Sequence, residues 1–313
     1  MNILITCALG RYAKGVTTVL RNNPINEEVY LVGVDMVDND RRQYYDKTYI
    51  VPAIEEDNYI DTMLNICKEE KIDIYIPWSV LELDKLYNAK RRFSRIGTKL
   101  LMSSPIESVR TLTHKDGTYA YLKKSGLPTL IYSKVNSIED IRRIISNGGN
   151  WVCKAVLGEG GRGVYKLTKD APLDYIDFTF PSVVQEYVPN AGHQYIFDGL
   201  AKNGEIVDCC IRSSCYDNGQ SYHEVIENEE YKELCGKILK DNNYTGLINI
   251  QAIKKGNTLY VIDINPRLWG PIEVTYQAGG NMLWEAIELL IDGKVTHKGE
   301  YEIGKKIDLV GRR

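Results

Sequence analysis

The sequence lacks a clear excess of either charge. It contains 39 Lys and Arg against 42 Asp and Glu, a formal net charge of -3 over 313 residues. Proteins that bind nucleic acid usually carry a basic excess, so the composition argues against such a partner. The basic run within residues 90–95 is interpreted as the solvated face of a helix rather than as a binding patch. With 43% hydrophobic and 26% charged residues, the chain has the balance of an ordinary globular protein.

Long apolar runs are also absent. No stretch approaches the roughly 20 apolar residues that span a bilayer, so no membrane segment is expected. The start, residues 1–5, has no basic segment before its apolar residues and is not typical of a signal peptide. The seven cysteines form no C-x-x-C pair. Scattered thiols in a chain of this length indicate a reducing compartment, so a cytoplasmic protein is expected.

Several well-known catalytic motifs are missing. No G-x-x-x-x-G-K-[ST] occurs, which excludes the P-loop class, and neither H-R-D nor D-F-G occurs, which excludes a protein kinase. The four histidines show no metal-binding spacing and are interpreted as structural or surface residues. His193 and His223 are the two that could line a substrate pocket. No internal repeat or low-complexity linker is found.

Residues 1–105 alternate between strand and helix patterns. Apolar strands are predicted at 2–7, 29–35 and 73–77, with a helix at 59–70, which favours a parallel sheet. Asp35 ends the second strand, where a Rossmann-type domain places an acid that binds ribose. The turn at 8–15, however, lacks the G-x-G-x-x-G spacing. A scaffold domain is therefore favoured over a dinucleotide site, which stays open as the alternative.

The remaining chain changes from mixed to mostly β patterns. Between 106 and 185, we predict helices at 105–112, 114–125 and 137–146 and strands at 129–134, 150–157 and 163–168. From 186 to 313, we predict strands at 195–201, 206–213, 246–254 and 258–265 and helices at 228–241 and 281–292. The predicted fold class is α/β with an α+β C-terminal part.

A glycine-rich loop joins the two strands near residue 160. The segment Gly158-Glu159-Gly160-Gly161-Arg162-Gly163 matches G-x-G-x-x-G, but a strand pattern follows it where a dinucleotide fingerprint needs a helix. The loop is therefore predicted to be the tip of a hairpin. Glycines there let backbone N–H groups approach a phosphate. The alternative is a flexible turn that binds nothing.

Polar side chains interrupt an apolar strand at 259–265. Asp263 and Asn265 are two residues apart, so both point to the same side of the strand. A turn near 255–257 predicts a hairpin that brings Gln251 beside them. Three oxygen donors of this kind suit Mg²⁺. A purely polar outer face is less favoured because the neighbouring positions are apolar, and Arg267, just beyond, can hold an anion with its planar guanidinium.

Taken together, these residues resemble a known family. The ordered set of Lys154, the loop 158–163, Gln-Glu-Tyr-Val at 185–188, Gln251 and Asp-Ile-Asn-Pro-Arg at 263–267 resembles the ATP-grasp superfamily. The nearest similarity is to a single synthetase half of carbamoyl-phosphate synthase large subunit. The resemblance covers nearly the whole chain. It implies a Rossmann-like domain (1–105), a small subdomain with a glycine flap (106–185) and a C-terminal subdomain with a mixed or antiparallel sheet and a metal site (186–313).

The resemblance also implies roles for individual residues. Those implied to bind ATP are Lys115, Lys154, Gly158, Gly160, Gly161, Gly163, Gln185, Glu186, Tyr187, Val188 and Gln194. Those implied to bind one or two Mg²⁺ ions, with Mn²⁺ as an alternative, are Gln251, Asp263 and Asn265. Those implied to act in catalysis are Lys154, Arg267 and, as a weaker match, Arg212. The residues at 185–188 match the hinge whose backbone reads adenine.

Three positions depart from the family pattern. His114 stands where Asp is common, Gln194 where Glu often holds the ribose, and Asp263 where Glu is usual. Aspartate is shorter, and Mg²⁺ tolerates little distortion, which puts a two-ion site in question. The implied activity is a ligase that uses ATP to activate a small carboxylate as an acyl phosphate for attack by an amine. Carbamoyl-phosphate-synthase-like chemistry on bicarbonate or carbamate with a partner chain, and a non-catalytic ATP-binding module, are the alternatives. A homodimer is compatible with such folds.

Overall fold

Three β-sheets follow one another along the chain. The computed structural model describes residues 1–158, 160–161, 163–189, 193–217 and 220–308, and its strands form sheets of five, four and six strands. The parallel first sheet and the antiparallel sheets that follow confirm the predicted mixed α/β class. Within these described ranges, no helix is both long and apolar enough to cross a bilayer.

The first sheet is parallel. Its elements are β1 (Asn2–Ile5), α1 (Ala13–Arg21), β2 (Tyr30–Asp35), β3 (Lys47–Ile50), α2 (Tyr59–Glu69), β4 (Ile74–Ile76), α3 (Leu83–Arg95) and β5 (Lys99–Leu100). The strand order is β3-β2-β1-β4-β5. Alternate side chains of β1 enter opposite layers, Ile3 and Ile5 on one side and Leu4 on the other. The sequence did not reveal the strands β3 and β5. β3 is half-exposed and β5 has only two residues, and neither contains an apolar run.

Asp35 has a structural task at the end of β2. Its Oδ2 accepts a hydrogen bond from the Leu9 amide at 2.9 Å, and its Oδ1 accepts one from the Met36 amide at 2.8 Å. The carboxylate thereby holds the loop that follows β1. This arrangement supports the scaffold interpretation of the first sheet.

The second sheet is antiparallel and carries the glycine loop. Its elements are α4 (Ile106–Thr113), α5 (Lys115–Lys124), β6 (Tyr132–Val135), α6 (Ile138–Ile145), β7 (Trp151–Ala155), β8 (Val164–Leu167) and β9 (Ser182–Glu186). The order is β6-β9-β7-β8. The predicted division of the chain at 185/186 cuts β9, which was not predicted as a strand.

The glycine loop is the tip of the β7–β8 hairpin, as predicted. Gly160, Gly161 and Gly163 have φ values of +67°, +73° and +69°. Side chains disfavour this left-handed region, so the loop needs glycine at these positions. Glu159 and Arg162 of the loop lie outside the described residues.

The third sheet is antiparallel and forms the C-terminal part. Its elements are β10 (Gln194–Lys202), β11 (Glu205–Asp217), β12 (Gln220–Val225), α7 (Glu229–Asp241), β13 (Gly246–Lys255), β14 (Thr258–Asn265), α8 (Glu273–Ala278), α9 (Met282–Asp292) and β15 (Lys306–Asp308). The order is β14-β13-β10-β11-β12-β15. On β11, the adjacent Cys209 and Cys210 pack into different apolar clusters, as expected for neighbours on a strand.

The last helices return to the first sheet. Residues of α1, such as Val16 and Leu20, share one apolar core with Val274 of α8 and Trp284 of α9. Asn281 donates hydrogen bonds to the carbonyl of Val19 at 2.9 Å and of Asn22 at 3.2 Å. This shared core fixes the loop after β1 against the C-terminal part of the chain.

A buried acid pair lies beneath α9. Glu285 on α9 is fully buried and accepts a hydrogen bond from the Gly299 amide at 3.0 Å. Asp208 on β11 is also buried and accepts a hydrogen bond from the Tyr301 hydroxyl. Burial, and next the charge of Asp208, raise the pKa of Glu285 to about 9. The folded protein therefore holds a proton here at neutral pH.

We expect Glu285→Gln to remove a pH-dependent loss of stability. The folded state keeps the Glu285 proton up to about pH 9, whereas the unfolded chain releases it near its ordinary value of 4.5. The free energy of unfolding should therefore fall as pH rises between these values. Glutamine does not titrate, so the variant should gain about 1 to 3 kcal/mol relative to wild type between pH 5.5 and pH 8.5. Urea unfolding at the two pH values measures this difference.

Asp292→Asn on the same helix is the matched control. The Asp292 side chain is exposed at the end of α9, so folding does not remove it from water. Its effect on stability should therefore be nearly the same at both pH values. An equal pH dependence for Glu285→Gln and wild type would contradict the assigned proton.

Candidate functional site

A cavity of about 550 Å³ lies between the glycine loop, the third sheet and the loop after β1. The predicted site residues that line it are Lys115, Lys154, Gly158, Gly160, Gly161, Gln194, Arg212, Gln251, Asp263, Asn265 and Arg267. The cavity thus gathers residues from distant parts of the sequence. His223 lines it as well.

The pairing of β13 with β14 brings the candidate metal ligands together. Gln251 lies opposite Asp263, and Asn249 lies opposite Asn265. Asn265 Nδ2 donates a hydrogen bond to Asp263 Oδ2 at 3.0 Å. The two-residue spacing places Asp263 and Asn265 on one face, and the hairpin adds Gln251 beside them.

Asn249, which sequence reasoning missed, orients the amides of this group. Its Oδ1 accepts hydrogen bonds from Gln251 Nε2 at 3.1 Å and from Asn265 Nδ2 at 3.4 Å. Because the Gln251 amino group is held in this way, its Oε1 is the atom that can serve as a ligand. The oxygens of Gln251, Asp263 and Asn265 are the hard donors that a divalent cation such as Mg²⁺ accepts.

Lys115 places an ammonium beside the carboxylate of this group. It is the first residue of α5, and its amide donates to the Val156 carbonyl at 3.0 Å. Its Nζ lies 3.2 Å from Asp263 Oδ1 and 3.5 Å from the Gly158 carbonyl oxygen. Asp263 is therefore neutralised by a lysine that also reaches the glycine loop.

Lys154, on β7, is surrounded by neutral oxygens. Its Nζ lies 3.1 Å from Gln185 Oε1, 3.2 Å from the Ile262 carbonyl oxygen and 3.5 Å from the Tyr119 hydroxyl. Burial lowers the pKa of Lys154 to about 8, Asp263 opposes this shift, and Lys115 adds to it. An anion that enters the cavity would favour the charged form of Lys154.

The residues of the predicted hinge, 185–188, do not line the cavity with their side chains. Gln185 is buried and holds Lys154 and the Tyr119 hydroxyl, while Glu186 forms an ion pair with Lys255 at 2.8 Å. The Tyr187 amide donates to the Asn150 carbonyl at 2.8 Å. Val188 packs in a small apolar cluster. Their assignment as an adenine-reading hinge stays a prediction.

Arg212 is the centre of a buried polar chain. It is 1% exposed, and its Nε donates to Asp198 Oδ2 at 2.6 Å. Asp198 is fully buried and also accepts from Asn249 Nδ2 at 2.6 Å. Asp198 was not predicted, and it links Arg212 to the amides of the candidate metal site.

His223 lies on the other side of Arg212. Arg212 Nη1 and His223 Nδ1 are 2.6 Å apart, and since a guanidinium only donates, the hydrogen-bond network assigns the histidine proton to Nε2. Burial, and next the charge of Arg212, lower the pKa of His223 to about 2. This histidine is therefore neutral at ordinary pH.

Two further stretches that line the cavity were missed by sequence reasoning. Arg11 and Tyr12 come from the loop after β1, and 269–271 follow Arg267. The available signal was position, since loops at the carboxyl ends of parallel strands commonly form binding crevices. Arg267 itself donates to the Leu268 carbonyl at 2.6 Å and to Asn265 Oδ1 at 3.3 Å.

Two family profiles match the chain. The family described as "PylC-like, N-terminal domain" matches residues 3–101. The family described as "ATP-grasp in the biosynthetic pathway with Ter operon" matches residues 179–309. The second match includes β13, β14 and the candidate metal ligands.

Known proteins resemble larger parts of the chain. Carbamoyl phosphate synthase large chain of Clostridium acetobutylicum is 24% identical over 282 residues, which cover 81% of this chain and 25% of that protein. The biotin carboxylase domain of Hydrogenobacter thermophilus 2-oxoglutarate carboxylase, a dimer in complex with MgADP, ADP and bicarbonate, has a TM-score of 0.70 at 16% identity and covers 97% of this chain and 73% of that chain. N5-carboxyaminoimidazole synthetase of Staphylococcus aureus, complexed with ADP, has a TM-score of 0.70 at 16% identity, with coverages of 97% and 80%.

These matches confirm the predicted resemblance to the ATP-grasp superfamily and the ATP-grasp fold. The chain spans less than half the length of the curated relatives it matches.

We expect Asp198→Asn to destabilise the protein strongly. The change leaves the buried Arg212 charge without its carboxylate, at a cost of about 3 kcal/mol. The double variant Asp198→Asn/Arg212→Met should recover most of that loss, because it removes the uncompensated charge as well. Urea unfolding of the three proteins measures the effect, and a double variant no more stable than the single one would contradict it.

Proposed function

We propose that this chain is an ATP- and Mg²⁺-dependent ligase that activates a carboxylate as an acyl phosphate for attack by an amine. The observation that carries the proposal is the single cavity in which the glycine hairpin, Lys115, Lys154 and the Gln251–Asp263–Asn265 group meet. A solved structure of the same fold contains MgADP, which supports the choice of nucleotide and ion.

ATP would bind between the hairpin and the third sheet. The ammonium groups of Lys115 and Lys154 would contact its phosphates, and the hairpin glycines would donate backbone N–H groups to them. The strand end at 185–188 would read adenine, and Gln194 would contact the ribose. Lys154, whose present neighbours are neutral oxygens, would gain an anionic partner.

The residues present fit a magnesium ion. Gln251, Asp263 and Asn265 supply oxygen donors. The Lys115 ammonium lies 3.2 Å from Asp263, so this carboxylate already binds one positively charged group. Mg²⁺ commonly takes one or two carboxylates and completes its shell with phosphate and water oxygens. Bound here, the ion would neutralise charge on the phosphates. One ion is favoured because a single carboxylate belongs to the group, and Mn²⁺ is the alternative metal.

The residues then divide the chemistry between them. The substrate carboxylate oxygen attacks the γ-phosphorus, the bond to the β,γ-bridging oxygen breaks, and ADP leaves. The amine next attacks the acyl carbon and loses a proton as phosphate departs. Lys115, Lys154 and Arg267 offset charge on the transferred group. Arg212, which is held beside Asp198, would contact a phosphate. The hairpin would keep water from the acyl phosphate.

Bicarbonate is a second candidate for the activated acid. The similarity to carbamoyl phosphate synthase extends over 81% of this chain, and one solved structure of the same fold holds bicarbonate. Because the chain covers only 25% of that synthase, such an activity would require a partner chain. A non-catalytic ATP-binding role is the remaining alternative function. Whether the chain forms a homodimer is a separate question, and a homodimer is compatible with each of these functions.

Phosphate release from MgATP tests these proposals. Release that depends on an added organic acid or amine from a pooled set supports the carboxylate–amine ligase. Release stimulated by bicarbonate alone supports the second candidate. Binding of MgATP with no release under any of these conditions would support the non-catalytic role and contradict the proposed ligase.

We expect Asp263→Ala to abolish magnesium-dependent turnover, by at least about 100-fold in kcat, because it removes the one carboxylate of the metal group. Asp263→Glu, which restores the carboxylate with a longer side chain, should keep part of the activity. Asn257→Ala, in the exposed turn between β13 and β14, is the control and should match wild type. Phosphate release titrated with Mg²⁺ measures all three, and full activity of Asp263→Ala would rule out the assigned metal site.

Lys154→Ala should weaken MgATP binding more than Arg267→Ala does. Lys154 is assigned to the phosphates of ATP, whereas Arg267 is assigned to the acyl phosphate that forms later. We expect roughly a tenfold or larger rise in the Kd for Lys154→Ala, with Lys169→Ala, on the surface after β8, as the control. Isothermal titration calorimetry measures these constants. A larger loss for Arg267→Ala would reverse the two roles.

A further inference from the structure

The proposed reaction uses only one part of the cavity. Lys115, Lys154 and the hairpin belong to the phosphate end, next to the candidate metal ligands. A further wall of the same cavity is formed by Arg11 and Tyr12 together with residues 269–271. The proposed function assigns no role to this wall, although the two organic substrates must bind in the same cavity as the phosphates.

Arg11 differs from Lys115 and Arg212, two of the other cations of the cavity. Lys115 is paired with Asp263, and Arg212 is paired with Asp198. Arg11 is exposed, and among the described residues no carboxylate lies within ion-pair distance of it. An exposed guanidinium on a cavity wall is a ready partner for an anion.

Tyr12 holds Arg11 in place. The Arg11 guanidinium carbon lies 4.8 Å from the centre of the Tyr12 ring, within the range of a cation–π contact. The Tyr12 ring in turn lies so close to Gly270 that a Cβ at position 270 would overlap it. The ring is therefore confined between the loop after β1 and the backbone of 269–271, and it forms a fixed platform.

The nearby helix end does not provide the same site. α1 begins directly after Tyr12, but a Cβ at Gly15 in its first turn would meet the Glu273 carboxylate. That acid already lies at the positive end of the helix. Among the described groups at this wall, Arg11 is thus the one that offers positive charge to a ligand.

We propose that Arg11 binds a carboxylate of an organic substrate, held by the planar edge of the guanidinium on the Tyr12 platform. The inference rests on the proposed ligase function and names a recognition residue for it. A carboxylate matches the fork of two parallel N–H groups. Phosphate is less favoured here, because the proposed function already assigns the lysines and glycine amides of the cavity to the phosphates of ATP. The carboxylate belongs either to the acid that is activated or to an amine that is an amino acid.

Matched ligand pairs test the proposal by binding. The MgADP-saturated protein is examined by thermal shift with L-amino acids against their amides, and with mono- and dicarboxylic acids against their amides. We expect at least one carboxylate to raise Tm where its amide does not. Arg11→Gln should remove that difference, Arg11→Lys should restore part of it, and Lys14→Gln, one turn away on the surface, should behave as wild type.

The Kd for MgADP, measured by calorimetry, separates this inference from the proposed function. It should agree within about twofold between wild type and Arg11→Gln, because Arg11 is not assigned to the phosphates. No MgADP binding by wild type would contradict the proposed function itself. A tenfold weaker MgADP affinity in Arg11→Gln, or no carboxylate-dependent shift in wild type, would overturn the role of Arg11. Neither outcome would contradict the proposed function, because wild type would still bind MgADP.

Kinetics identify the source of the carboxylate. If Arg11→Gln raises KM at least tenfold for the acid while KM for the amine is unchanged, the group belongs to the acid. The reverse pattern assigns it to an amino-acid amine. An equal kcat/KM of wild type and Arg11→Gln for every carboxylate that promotes phosphate release would overturn the proposal.

Discussion

The arrangement of the candidate site depends on one fully buried carboxylate, that of Asp198. It compensates Arg212 on one side and receives the Asn249 amide on the other. Asn249 then orients Gln251 and Asn265, which lie beside Asp263. A buried charge of this kind costs free energy unless it is paired, and here each partner is also placed by a strand of the same sheet. The positions of the side-chain oxygens of Gln251 and Asn265, which line the cavity, are therefore set by the buried polar chain from Arg212 through Asp198 to Asn249.

The regular parts of the fold could be predicted because their signals are local. Strands such as β14 show an apolar run, and the two-residue spacing of Asp263 and Asn265 fixes a common face whatever the tertiary structure. The glycine loop could be predicted to be the tip of a hairpin because strand patterns precede and follow it. Short strands without such runs, β3 and β5, were missed. The strand β9 was read only as part of a motif, so its pairing with β6 and β7 went unnoticed.

Most of the site residues that were not predicted have roles that arise only from tertiary contacts. Asp198 is surrounded by apolar residues and glycine on its strand, and Tyr119 reaches Lys154 from a helix. Asn249 is the exception, because it stands two residues before Gln251 and its position on the same face could have been predicted. Arg11 and Tyr12 lie more than 250 positions from Gly270, against which the Tyr12 ring packs. Sequence reasoning finds pairs that are near in the chain or follow a known motif. It has no comparable signal for a contact made by a shared core between the first helix and the last two.

Asp263 stands where the family resemblance implies glutamate, and its neighbours give a physical reason for the shorter side chain. Oδ2 of Asp263 accepts a hydrogen bond from Asn265, and Oδ1 lies beside the Lys115 ammonium. If Lys115 turns to a phosphate when nucleotide binds, Oδ1 is released for a cation while Oδ2 stays held. A carboxylate with one exchangeable oxygen is suited to a single ion rather than to bridging two. The short side chain thus joins the two parts of the proposal. Under the proposed function, the lysine that reaches the glycine loop would occupy the proposed metal position until nucleotide binds.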